Sequence, residues 1–387
     1  MEGILTEPRN LIIASEFIDI ESNSTGIYWN KIINALNESG IGIKVISSKN
    51  SILKSQLEHA GIETMSVNPL QFRPKNFFIS SFNKIFMSFA ILIKINKTLN
   101  QNDLLLTGTN PNIVIVLIGL LNSIKKFRWI LLVHDLFPEN LIPGGMLSKK
   151  NLLYKALIRL FDFAYTKPCH LISIGRDMTD ILRNKTDSKI SFIPNFVDTK
   201  DIKFRNLSNE DECISYSYQG NLGKLQDIEN ILTAITLLKE RRAKFYFSGQ
   251  GEYEEKVRDF CATHQRLGTK FLDKGIDPHI TDVAIIPLKK GMRGLAVPSK
   301  AYFSIGNDKP LLIIGDLGSE LNLMINENDG LGWFVNAGNP NELARCIESI
   351  TRDKLNYMKG KPRSIAENKY SFELAAKDYI RVVNEHI

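Results

Sequence analysis

The sequence predicts an α/β protein built as two parallel-sheet domains that face each other across a cleft. Three observations predict it. Short apolar runs alternate with helical patterns along the whole chain, the signature of strands lying parallel with helices on both faces. A polar stretch at 198–212, with Asn206, Ser208, Asn209, Glu210 and Asp211, breaks the alternation near the middle. On both sides of it, glycine-containing loops leave apolar strands and enter helices, where parallel sheets bind their ligands. The 387 residues suffice for two domains. The first is placed at 1–197, the linker at 198–212 and the second at 213–370. A closing helix at 371–387 is expected to pack back on the first domain.

An apolar content of 43% with 24% charged residues is that of a soluble globular protein. The net charge of +7 is confined to one half. Residues 1–200 hold 23 Lys and Arg against 16 Asp and Glu, whereas 201–387 hold 26 of each. A basic half can face nucleic acid, an anionic membrane or an anionic acceptor. Cys169, Cys213, Cys261 and Cys346 are scattered, show no metal-binding spacing and fit reduced thiols of a cytoplasmic protein. The first residues have neither the basic region nor the apolar core of a signal peptide. The apolar run 113–121 is too short to cross a bilayer.

In the first half, strands are expected at 10–14, 43–47, 63–67, 103–107, 129–134, 170–174 and 190–193, with helices between them. The first strand leads into a loop ending Ser24-Thr25-Gly26. Ser24 or Thr25 can cap the next helix, and Gly26 would let a ligand approach the backbone; a plain cap is the simpler reading. No G-x-G-x-x-G follows this strand, which counts against a dinucleotide-binding oxidoreductase. Between Glu63 and Asp103 there is no acidic residue. The segment 72–97 interleaves Arg73, Lys75, Lys84, Lys94 and Lys97 with Phe72, Phe77, Phe78, Phe82, Phe86 and Phe89. Such a helix either lies in a membrane interface or packs on the sheet with a basic outer edge. Lys149, Lys150, Lys155 and Arg159 extend the basic character.

The strand 129–133 delivers His134 and Asp135 to its carboxyl end, followed by Leu136-Phe137-Pro138-Glu139. Packing alone explains such a pair poorly. A histidine there can donate to a sugar hydroxyl or move a proton, and Asp135 can orient a hydroxyl; a structural histidine is the alternative. The turn Pro143-Gly144-Gly145-Met146 can border a cleft.

In the second half, the strand 214–218 runs into Gly220-Asn221-Leu222-Gly223-Lys224 and a helix from Asp227, an arrangement able to hold an anion. The strand 245–247 precedes Ser248-Gly249-Gln250-Gly251, and Asp329-Gly330-Leu331-Gly332 comes late in the chain. These loops are read as carboxyl-end loops opening on one cleft. Between 287 and 316 an apolar strand enters a basic loop with Lys289, Lys290, Arg293 and Lys300. Pro298 is placed to start the following helix, and a second strand lies at 310–314. A surface loop with solvated lysines is the plainer reading of that stretch taken alone.

Taken in order, these pieces resemble the family 4 retaining glycosyltransferases. The matching pieces are the Gly26 loop, His134 to Glu139, Gly220 to Gly223, Ser248 to Gly251, Val297-Pro298-Ser299-Lys300, Asp308-Lys309-Pro310 and the closing Tyr370-Ser371-Phe372. The likeness spans nearly the whole chain. It points to the bacterial branch that builds surface polysaccharides such as O-antigen, including fucosamine-transferase-like members. The resemblance implies the GT-B fold, two Rossmann-like βαβ domains across a cleft. It also implies a nucleotide diphosphate sugar donor, taken as UDP-linked, and a lipid-linked or saccharide acceptor. No metal or other cofactor is expected, and nucleic acid is not an expected partner. The implied location is the cytoplasmic side, on the inner face of the plasma membrane, with contact through 72–97.

The resemblance makes His134 and Asp135 catalytic. It assigns donor binding to Gly26, Gly220, Asn221, Gly223, Lys224, Gly251, Ile276, Arg293, Leu295, Ala296, Val297, Ser299 and Lys300, with the loop from Arg293 to Lys300 acting through its backbone and its cations. The sequence also departs from the family. Phosphate-binding Arg and Lys are replaced by Asn221 and Gln226. A pair of glutamates with seven residues between them would fall at Leu295 and Phe303. Two other classes fit the same residues less fully: a sugar-nucleotide epimerase of the same fold, and a non-catalytic partner subunit.

Overall fold

The computed structural model of the chain describes residues 10–19, 23–55, 57–69, 77–202, 213–239 and 242–387. Seven strands make the first sheet: β1 Leu11–Ala14, β2 Ile43–Ser48, β3 Glu63–Val67, β4 Leu104–Gly108, β5 Arg128–Val133, β6 His170–Ser173 and β7 Lys189–Phe192. They lie in the order β3-β2-β1-β4-β5-β6-β7, all parallel. Nearly all of β1, β4 and β5 is buried apolar residue, as a strand covered by helices on both faces requires. The helices are α1 Ser24–Glu38, α2 Lys49–Ser55, α3 Phe77–Thr98, α4 Ile113–Lys125, α5 Leu152–Tyr165 and α6 Arg176–Arg183. Asn23, one residue before the expected caps, accepts the Gly26 N–H at 2.9 Å and starts α1.

The second sheet holds β8 Ile214–Gln219, β9 Ala243–Ser248, β10 Thr269–Phe271, β11 Val283–Pro287, β12 Leu311–Gly315 and β13 Gly332–Asn336, in the parallel order β10-β9-β8-β11-β12-β13. Its helices are α7 Ile228–Leu237, α8 Glu254–Thr263, α9 Lys300–Gly306, α10 Glu320–Glu327, α11 Pro340–Ser349, α12 Arg352–Met358, α13 Lys361–Lys369 and α14 Phe372–Asn384. Strand order reverses between β1 and β4 in one sheet and between β8 and β11 in the other. Ligands of such sheets bind outside the carboxyl ends at these switch points.

Alternation along β11 and β12 splits the second domain's core. Val283, Ile285, Leu312 and Ile314 pack under α7 and α11, whereas Ala284, Ile286, Leu311 and Ile313 join a core that continues into the first domain. The two domains therefore share apolar contact as well as a cleft. Residues 203–212, most of the expected linker, lie outside the described residues. Val197 pairs with Ser371, its N–H donating to Tyr370 O at 2.9 Å, and α14 packs along α1. At the amino-terminal end of β6, His170 Nδ1 lies 2.9 Å from His386 Nε2, and Lys189 pairs with Glu385 at 2.6 Å. These contacts tie the end of the chain to the first domain, far from the strands' carboxyl ends. One expectation is corrected: Gly330 precedes β13 and Gly332 begins it, at the end of the sheet away from the cleft.

Candidate active site

The site forms where the carboxyl ends of β5, β8 and β11 meet. Beyond β5, the N–H groups of His134 and Asp135 both donate to Thr109 Oγ1, at 3.2 and 3.4 Å. The imidazole packs near Trp29, with ring centres 6.2 Å apart, and close to Gly108, where a Cβ would crowd the Trp29 ring at 3.1 Å and touch Nδ1 at 3.5 Å. Nδ1 is enclosed and has no hydrogen-bond partner, which leaves Nε2 as the nitrogen able to meet a ligand. Burial lowers the His134 pKa to about 4, so the ring is neutral near pH 7. The Asp135 side chain opens on the cleft, yet surrounding protein displaces bulk water and raises its pKa to about 6.

The loop between β11 and α9 crosses directly onto this segment. Leu136 N–H donates to Leu295 O at 2.8 Å, and Asp135 bridges Ala296 in antiparallel register. Asn195 Nδ2 donates to Val297 O at 3.2 Å. The histidine segment and the loop are thus one continuous backbone assembly. The turn at 143–146 borders it, with Pro143 near Gly291 and Gly144 near Leu225.

Facing it in the second domain, the Gly220 loop and Lys300 come together, and a side chain on Gly220 would touch only the Lys300 stem. Lys300 Nζ sits 4.0 Å from the centre of the Tyr218 ring. Among the described residues it pairs with no carboxylate, and burial lowers its pKa to about 7. A desolvated ammonium without a counter-ion, beside a glycine loop at a switch point, is suited to a phosphate. Lys224 is exposed and lies 3.2 Å from Glu252, a pair weak enough to exchange. The Arg293 guanidinium lies over Gly318.

Several predicted donor residues are occupied by the protein itself. A Cβ on Gly26 would meet Asp19 O at 2.0 Å, so the absent side chain admits the preceding loop rather than a ligand. Leu295 and Val297 are buried in the shared apolar core. Ile276 N–H donates to Gln219 Oε1 at 3.1 Å, and the Ile276 side chain is buried. Asn221 and Gly251 pack on each other, and Gln226 accepts the Gly223 N–H at 3.2 Å. Ser299 occupies the cap position of α9, which begins at Lys300, two residues after Pro298. Three of the loop's backbone donors are also in use: Gly291 and Arg293 donate to Asp316 at 2.8 and 3.0 Å, and Gly294 donates to Asp177 at 2.7 Å. Of the predicted donor-binding residues, Lys300, Arg293 and Lys224 are the cationic side chains that can meet an anion.

Sequence reasoning missed Thr109, Asp177, Tyr218, Asp316 and Glu320. Only Thr109, in Thr107-Gly108-Thr109 after an apolar strand, carried a local signal.

No family model matches the chain. It is 35% identical over 394 residues to the probable glycosyltransferase WbjE of Pseudomonas aeruginosa, covering 96% of this chain and 97% of that protein. That likeness does not favour an epimerase or a non-catalytic subunit. Among solved structures, the chain is similar to sucrose-phosphate synthase of Thermosynechococcus elongatus, with a TM-score of 0.74 at 14% identity over 97% of this chain and 98% of that one. It is also similar to HepE of Anabaena, solved in complex with UDP, with a TM-score of 0.68 at 13% identity over 97% of this chain and 100% of that one. At such identities the structural likeness shows the fold.

Proposed function

The chain belongs to the family 4 glycosyltransferases of the GT-B fold, and from that membership we propose that it moves a sugar from a UDP-sugar to a lipid-linked saccharide, with retained anomeric configuration, in the synthesis of a bacterial surface polysaccharide. The observation that carries the reading is the half-buried Lys300, paired with no carboxylate among the described residues and set beside the Gly220 loop, together with the neutral His134 at the carboxyl end of β5. The name of the 35% identical relative supports the reaction class, and the UDP held by HepE supports the nucleotide.

Departure of the diphosphate develops negative charge. Lys300, with Arg293 and Lys224, stabilises it in a site where water is largely displaced, each well-placed donor contributing about 3 kcal/mol. His134 Nε2 donates to a hydroxyl of the donor sugar, and Asp135 orients a hydroxyl near the reacting carbon. The acceptor hydroxyl attacks from the face that the diphosphate leaves, with no protein nucleophile required. On this reading the cations do the work of a metal, and turnover survives chelation with EDTA.

A lipid-linked acceptor requires access to a membrane surface. The neighbouring helices α3, α4 and α5 carry exposed Phe82, Phe86, Phe89, Ile93, Leu120, Ile124, Leu152, Leu153 and Leu160, with Lys149, Lys150, Lys155 and Arg159 beside them. Met87, Ile91 and Ile95 of α3 pack inward, so α3 serves the core and an interface at once. Phe72, Arg73 and Lys75 lie outside the described residues. No described helix is long and apolar enough to cross a membrane. We place this face against the anionic inner leaflet.

The test is a thermal-shift screen of nucleoside diphosphates and their sugars, followed by transfer assays on membrane-extracted acceptors. UDP at 100 times its Kd should add about 2.7 kcal/mol. If no nucleotide stabilises the protein, the reading fails. If a UDP-sugar alone is epimerised, the reaction class is wrong.

A further inference from the structure

Two helices from different domains point their amino ends at each other beside the loop that joins His134. Helix α6 of the first domain starts after Gly175, and α10 of the second starts after Ser319; neither cap residue supplies a side-chain hydrogen bond to its own helix. Each helix is capped instead by the first turn of the other. Asp177 Oδ2 accepts the Glu320 N–H at 3.2 Å, and Glu320 Oε2 accepts the Arg176 N–H at 2.7 Å. Orphan N–H groups at helix starts need such acceptors, and carboxylates there also favour the helix dipole.

The arrangement reaches beyond capping. Asp177 Oδ2 also accepts the Gly294 N–H at 2.7 Å, while its Oδ1 accepts Met178 N–H at 2.9 Å. The Arg176 guanidinium holds Glu320 through two bonds, Nε to Oε2 at 3.0 Å and Nη2 to Oε1 at 2.9 Å, and reaches Glu327 at 2.6 Å. Glu320 is only 2% exposed, and a buried carboxylate persists only when paired and fully hydrogen-bonded. Gly294 has φ +72, and a Cβ there would lie 2.5 Å from Ile181 Cδ1 and 2.8 Å from Asp177 O. Only glycine allows the loop to seat so closely on α6. Val297 presses on Gly175 three residues further on. Between these two contacts, Leu295 and Ala296 make their backbone bonds to Leu136 and Asp135.

We propose that Asp177 and Glu320 are positioning residues: their reciprocal capping across the domain boundary seats the loop 291–299 against His134 and Asp135 and thereby sets the geometry of the transfer step. This inference rests on the reading of that loop and His134 as the reacting site. Neither carboxylate touches substrate. They act through the loop, and a shift of about 1 Å at the reacting groups is worth on the order of a hundred-fold in rate. Neither Asp177 nor Glu320 contacts the Gly220 loop, Lys224 or Lys300; of the cations assigned to the diphosphate only Arg293 rides on the seated loop, so the loss falls far more on kcat than on UDP affinity.

The test compares Asp177→Ala, Asp177→Asn and Glu320→Gln with the parent protein. Hydrogen exchange of the 291–299 segment, measured without nucleotide, should quicken roughly five-fold or more in Asp177→Ala through loss of a cap-strength contact. Asp177→Asn, which keeps one acceptor oxygen, should restore part of the protection. With the UDP-sugar selected in the screen, kcat should fall roughly ten- to hundred-fold in Asp177→Ala and Glu320→Gln while KM and the calorimetric Kd for UDP stay within about three-fold. Unchanged exchange in Asp177→Ala overturns the proposal. A kcat that does not move, or a Kd for UDP that weakens in step with it, overturns it as well. If the screen yields no donor, the proposed function fails, and the exchange measurement decides on the clamp by itself.

Discussion

His134 is a neutral imidazole near pH 7 because burial lowers its pKa to about 4. It can therefore donate one hydrogen bond to a sugar without carrying charge. His134→Ala should lower kcat by roughly 10²–10⁴-fold with little change in donor KM, measured under saturating donor; near-normal turnover would make it a packing residue. Lys300 is the complementary case. Burial lowers its pKa to about 7, so the ammonium is charged below pH 7 and neutral above it. A dianionic diphosphate favours the charged form, and binding takes up a proton above pH 7. UDP affinity by calorimetry should then be roughly five- to ten-fold weaker at pH 8 than at pH 6.5. Lys300→Met should bind weakly at both values and lose the difference. Leu295 and Phe303 occupy positions where the family has acids. Leu295 is buried in the shared core, and Phe303 is 53% exposed, so neither offers a polar group to a donor.

At the scale of elements, the glycine loops do two different things. Gly220 leaves room for the Lys300 stem, but Gly249 serves the fold. It has φ +147, and a Cβ there would lie 1.8 Å from Gly220 O. This closeness lets the loops after β8 and β9 continue as a pair, with Gly220 N–H donating to Ser248 O at 3.0 Å and Leu222 N–H to Gln250 O at 2.8 Å. Gly249→Ala should cost roughly 3 kcal/mol or more, combining backbone strain with a clash, and lower the midpoint of thermal unfolding by roughly 6–12 °C. Gly145→Ala, with φ +67 and open space around it, should cost only about 1 kcal/mol. Equal losses at the two sites would refute the packing account. The pattern Ser248-Gly249-Gln250-Gly251 could be read as a ligand loop from sequence because glycine at a strand's end serves both purposes; only the neighbour's position separates them.

At the scale of the whole molecule, the face made by α3, α4 and α5 lies on the first domain, which carries the whole basic excess. Sedimentation with phosphatidylglycerol vesicles should recover the protein, and phosphatidylcholine vesicles should recover much less. Replacing Lys150 and Lys155 with Ala should weaken the anionic-vesicle binding by roughly thirty-fold, at about 1 kcal/mol per lysine. Binding that ignores both lipid charge and these substitutions would sink the interfacial role of this face. The shared core and the contacts of α14 with α1 make the two domains one apolar assembly on one side. On the cleft side they meet through directed polar bonds, Leu136 to Leu295 and Asp177 to Gly294.

The sequence by itself determined the two parallel sheets, the placing of His134 and Lys300 at strand and helix ends, and the basic, aromatic character of α3. Each follows from periodicity, charge or turn chemistry within a few neighbouring residues. Only the tertiary structure decided that Gly26, Leu295 and Val297 are filled by the protein's own packing, that Gly330 and Gly332 lie away from the cleft, and that Asp177 caps a helix in the other domain. Those contacts join residues more than a hundred positions apart, or depend on which atom fills the space beside a glycine, and no local pattern encodes either.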